Sequence, residues 1–64
     1  MNKKQVLRSY YYSGMDIIKS AIEKDIEKLK DENPHCVVFV NQMHFTHNSN
    51  DFVEAIVVFD IIYP

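Results

Sequence analysis

The side chains that could do chemistry sit in the C-terminal half of the chain and in one aromatic triplet. His44 and His47 stand three residues apart, with Asp51 and Glu54 shortly after. Residues three apart on a strand point to opposite faces, and a metal needs three or four converging ligands. Nothing in the sequence holds Asp51 and Glu54 against both imidazoles, so no metal and no other cofactor is expected. His44 beside Glu54 makes a cross-strand pair in one hairpin register, the kind of pair that general acid–base catalysis uses. No nucleophile or oxyanion-binding group accompanies it, so the chain reads as a non-enzyme. Cys36 has no basic neighbour to activate it and reads as a small core residue. Tyr10, Tyr11 and Tyr12 are the remaining signal, since exposed aromatic rings stack on flat ligands and recur at interfaces. Gly14 is the one glycine, which excludes a glycine-rich phosphate loop.

The elements that position these groups follow from periodicity. Residues 36–46 and 52–63 are rich in β-branched and aromatic residues without Gly or Pro, and the polar stretch 47–51 joins them as a hairpin. In the second run Val53, Ala55, Val57, Phe59, Ile61 and Tyr63 share one face. A three- or five-residue loop centred on Ser49 sets Val37, Phe39, Asn41, Met43 and Phe45 beside them, and the hydrophobic pattern favours that odd-with-odd register. It pairs His44 with Glu54, Gln42 with Ile56, Val40 with Val58 and Val38 with Asp60. The second face then holds Val38, Val40, Phe52, Ile56, Val58 and Ile62, an apolar patch of the kind that marks an interface.

Upstream, residues 5–12 read as a strand with Val6, Arg8, Tyr10 and Tyr12 on one face, a helical extension being the alternative. Met1 to Lys4 reads as a frayed start. Ser13 and Asp16 resemble a capping box, with Asp16 near the positive end of the helix dipole. From Met15 to about Lys30, apolar residues at 15, 18, 22, 26 and 29, widened by 17 and 21, make an amphipathic helix. Its other face is solvated, with pairs such as Lys24–Glu27 and Asp25–Lys28. Asn33-Pro34 ends it. The fold class is therefore α+β: β-α-β-β, one amphipathic helix packed on an antiparallel sheet dominated by the C-terminal hairpin. The first strand either joins that sheet or pairs with a neighbouring subunit.

Sixty-four residues make a single domain, 1–64, with marginal stability of its own. A lone cysteine offers no internal disulfide, and oligomerisation is the remaining remedy for so small a core. The formal charge of −2 and pI near 5.8 argue against nucleic acid as the main partner. No apolar run is long enough to span a bilayer and no signal sequence follows Lys3 and Lys4, so a cytoplasmic protein without a membrane is expected. The Lys, Asn and Ile usage is that of low-GC bacteria and their phages.

The β-α-β-β order and a long closing hairpin around one helix resemble dodecins, small flavin-storing oligomers. The helix followed by Ala55-Ile56-Val57-Val58-Phe59-Asp60-Ile61-Ile62-Tyr63 also resembles short sporulation-associated proteins of Firmicutes. Dodecins stack flavin on a tryptophan; this chain has none, so no binding residue carries over. What the resemblance implies is a symmetric oligomer with any ligand at a subunit interface. The expected function is thus a small homo-oligomer that sequesters an aromatic or nucleotide-like molecule between subunits, with Tyr10, Tyr12, Gln42, His44 and Glu54 as ligand-binding residues. The alternative is an interaction module that binds a host protein through its exposed sheet face.

Overall fold

A computed structural model of the chain describes residues 2–47 and 51–64. The expected turn residues Asn48, Ser49 and Asn50, and Met1 at the expected frayed start, lie outside the described residues. The elements run β1 (Lys3–Tyr12), α1 (Met15–Glu32), β2 (Val37–His47) and β3 (Val53–Ile62). The fold is α+β, with one helix on one face of a three-stranded antiparallel sheet of order β1-β3-β2. β3 is central because its odd positions are all apolar. Ala55, Val57 and Phe59 are fully buried, and Ile61 nearly so. β1 joins the same sheet along the free side of β3 and starts at Lys3, earlier than its composition suggests.

The β2–β3 register departs from expectation in two ways. Near the turn, odd still meets odd, but slid by two residues: Met43 lies opposite Val57 and Phe45 opposite Ala55. His44 therefore faces Ile56 instead of Glu54, and Gln42 faces Val58 instead of Ile56. Between Val40 and Gln42 a bulge adds Asn41, and beyond it the parity reverses, with Val40 opposite Phe59 and Val38 opposite Ile61. Val38 and Val40 thus turn to the helix side, where Val38 is buried, and do not belong to the exposed patch assigned above. Val37 and Phe39 take their place on the far face. The physical gain is clear: without the bulge, the odd-position pattern would put the Asn41 amide in the apolar core. With it, Asn41 Nδ2 donates to Asp60 Oδ2 at 2.7 Å on the other face.

α1 presents Ile18, Ile22 and Leu29 to the core, with Ile26 and Ala21 at the margin. Met15 and Ile17 stay half exposed, so the stripe covers less than its full width. The helix starts one residue later than the capping box suggests. Gly14 is the N-cap, in extended conformation, its carbonyl accepting from the Ile18 N–H, and no side chain caps it. Ser13 lies one position too early to reach the free N–H groups. A Cβ at Gly14 would meet nothing within 4 Å. Gly14→Ser is therefore expected to stabilise the protein by about 0.5–1 kcal/mol, by capping and by restricting the unfolded chain; urea denaturation of the pair measures it.

At the other end Asn33 caps the helix twice, its backbone N–H and its Nδ2 both donating to the Leu29 carbonyl. Asn33-Pro34-His35-Cys36 then turns back with a Cys36 N–H to Asn33 carbonyl bond and a positive φ of 72° at His35. That is the backbone of a type II turn, with proline in its preferred second place.

Candidate functional site on the open sheet face

The helix covers one face of the sheet and leaves the other open. Strand pairing sorts the open face into rows of three, one residue from each strand in the order β1, β3, β2. From the chain ends toward the turn they are Lys3, Ile62, Val37; Gln5, Asp60, Phe39; Leu7, Val58, Gln42; Ser9, Ile56, His44; and Tyr11, Glu54, Thr46. Leu7 and Val37 are 65% and 60% exposed, and Phe39 and Ile56 are exposed beside them. Phe52, just before β3, stacks on Tyr11 with ring centroids 5.1 Å apart and planes 6° from parallel.

One charged side chain among the described residues is buried, Asp60, at 3% exposure on this same face. Gln5 Nε2 donates to its Oδ1 at 3.0 Å, Asn41 Nδ2 donates to Oδ2, and Lys3 Nζ lies 3.6 Å from Oδ2. All three strands thus contribute to one carboxylate. Partial desolvation alone would raise its pKa; the two amide hydrogen bonds and the Lys3 charge outweigh it and hold the group below the usual carboxylate range. The sign follows: the stabilisation is complete above the unfolded pKa near 4 and is lost as pH falls through the lower folded value. Asp60→Asn is expected to flatten the acid limb of the stability–pH curve below about pH 4, an effect read from thermal melts across pH 2–7.

The expected ligand residues separate. Gln42, His44 and Glu54 lie on the open face in successive rows toward the turn. His44 and Glu54 are diagonal rather than directly opposite, so the cross-strand pairing expected of them does not occur. Tyr10 and Tyr12 lie on the opposite, helix-covered side, beside Ala55 and Val53. Tyr10 is buried there, its hydroxyl donating to the Asp25 carboxylate of α1, so it cannot line a site with His44. Asp25 accordingly answers Tyr10, and among the described residues it forms no ion pair with Lys28. Tyr11 is the triplet member on the open face. Strand alternation already separated it from Tyr10 and Tyr12; the side of β1 that meets the helix was the missing fact. The Gln5–Asp60–Asn41 network also escaped sequence reasoning, because only the sheet order and the bulge bring the three together.

His44 and His47 fall on opposite sides of the sheet, and among the described residues no three His, Cys, Asp or Glu side chains gather as a metal site. No described helix is long and apolar enough to cross a membrane. No protein-family model, curated protein or solved structure matches the chain.

Proposed function

We propose that the chain is a non-enzymatic subunit that packs its open sheet face on that of a second copy and holds a small, flat aromatic or nucleotide-like molecule at the margin of that interface. The apolar rows of the open face carry the reading, with Leu7 and Ile56 exposed around a half-buried Val58. A ten-residue strand is about 33 Å long and three strands are about 15 Å wide, so two such faces enclose on the order of 1,000 Å2, the lower bound for a specific interface. Charge selects the orientation. With the two sheets stacked strands-parallel, Asp60 of one copy lies over Asp60 of the other. With one sheet reversed end for end, Asp60 lies over Ile56, and the Lys3 end of each copy meets the Glu54 end of its partner. The second arrangement is favoured, and a carboxylate that already has its donors loses little more when covered.

At each end of this sandwich the stacked Tyr11 and Phe52 rings offer a platform for an aromatic ring, with Glu54, His44 and Gln42 to meet its polar edge. No catalysis is assigned, since His44 faces Ile56. Native mass spectrometry of freshly purified protein, gentle and then denaturing, is the test. An oligomer with extra non-protein mass is expected, and Tyr11→Ala should lose that mass. A bare oligomer whose melting temperature is unmoved by flavin or purine nucleotides would remove the ligand from the proposal. A bare monomer would remove both halves and pass the open face to a different protein as its partner.

A further inference from the structure

The two edges of the sheet are unlike. β1 carries Lys3, Lys4 and Arg8, charges that discourage addition of another strand. β2 has no Lys, Arg, Asp, Glu or Pro over its 11 residues. Its helix side is also unfinished. Between Ile18, Ile22 and Ile26 of α1 and Val40, Met43 and Phe45 of β2 runs an apolar groove of about 400 Å3. Met43 and Phe45 stay 42% and 43% exposed along it.

We propose that β2 pairs antiparallel with the β2 of a second copy, about a twofold axis normal to the sheet, so that two three-stranded sheets become one of six strands and each copy closes the other's groove. The bulge limits regular pairing to residues 42–47. Directly opposed residues of an antiparallel pair share a face, so the register must bring like parity together. Of the two such alignments that pair the most residues within 42–47, one sets Met43 beside His47 and the other sets Met43 beside Phe45. The second keeps apolar with apolar and gives each thioether an aromatic neighbour. It puts Gln42 opposite Thr46 of the second copy and His44 opposite its own twin on the axis. Pairing β1 with β2 is disfavoured: it brings Lys4 and Arg8, which share the helix side, next to the groove, and its head-to-tail repeat builds an open filament.

This pairing rests on the edge and the groove and stands without the face-to-face contact proposed above. Where both form, their axes are perpendicular; a face contact slid by one row, so that both axes pass through the Ile56–His44 row, closes as a tetramer, four times the 7.6 kDa chain. Sedimentation of wild type, Met43→Lys and Ile56→Lys separates the two interfaces, with circular dichroism to confirm folding. A tetramer is expected that falls to a dimer in either variant. If Ile56→Lys disperses the assembly and Met43→Lys leaves it whole, the edge pairing is overturned and the face contact survives. The reverse result keeps the edge pairing and removes the face contact. A monomeric wild type overturns both. A second measurement avoids reliance on the lysine variants. In a Cys36→Ser background, His44→Cys should oxidise to a covalent dimer, since opposed Cα atoms in such a pair lie about 4.5–5.5 Å apart, within disulfide reach. Arg8→Cys, on the charged edge, should stay monomeric on a non-reducing gel. Absence of the His44→Cys dimer overturns the pairing.

Discussion

Phe59→Ala is expected to cost about 3–5 kcal/mol at 25 °C. Phe59 lies at the middle of the central strand, with Val6 on one side and Val40 on the other, and is fully buried beneath the helix. Truncating it removes the largest fully buried side chain of a small core, and two neighbouring strands and a helix cannot all move in to fill the space. A domain of this length has a total stability of only about 3–10 kcal/mol, so the loss is comparable to the whole. Urea denaturation at fixed protein concentration measures it, and Phe59→Leu, which keeps most of the volume, should lose less than half as much. Equal losses for the two variants would show that the ring's shape, and not the cavity, dominates.

The second large effect is at the Tyr10–Asp25 hydrogen bond, the polar tie between helix and sheet among the described residues. Asp25→Ala is expected to destabilise the protein by about 1–3 kcal/mol, more than Tyr10→Phe, for which about 1 kcal/mol is expected. The asymmetry comes from burial. Removing Asp25 leaves a buried phenol without its acceptor, whereas removing the hydroxyl leaves a half-buried carboxylate that water reaches. In a double-mutant cycle the second substitution should then add little to the first. The same contact predicts behaviour in alkali. Burial first, then the hydrogen bond and the negative charge of Asp25, push the Tyr10 phenol well above its ordinary range. A raised folded pKa means stability that is complete below the unfolded value near 10 and declines as pH rises past it. Tyr10→Phe should remove that part of the alkaline decline, which pH-dependent melts between pH 8 and 11 would reveal.

Much of the fold was legible because it depends on local patterning. The apolar spacing at 18, 22, 26 and 29 needs only the helical repeat to be read as a buried stripe. The odd positions of β3 need only strand alternation. Asn33-Pro34 ends the helix by sterics that involve no distant residue. The helix start was less legible, because Ser13 and Gly14 are both acceptable caps and the apolar repeat reads the same from either.

The candidate site was legible in part, and the division has one cause. Gln42, His44 and Glu54 were placed on one face by alternation, and they share it in the structure. No local signal says which side of β1 meets the helix, and that side decides that Tyr10 and Tyr12 lie apart from them. The His44–Glu54 pairing and the exposure of Val38 and Val40 were read from an uninterrupted register, and the bulge at Asn41 is set by what Asn41 can reach across the sheet.

By itself, then, the sequence determined the element order, the helix stripe, the central strand's core face and the surplus of apolar surface. Each follows from the repeat of a single helix or strand. Only the tertiary structure decided that β3 lies between β1 and β2, that Tyr10 is tied to Asp25, that Asp60 gathers Gln5, Asn41 and Lys3, and that β2 changes faces halfway along. Those features join residues from opposite ends of the chain, such as Lys3 and Ile62, and their energies depend on which polar groups find partners once the strands are side by side.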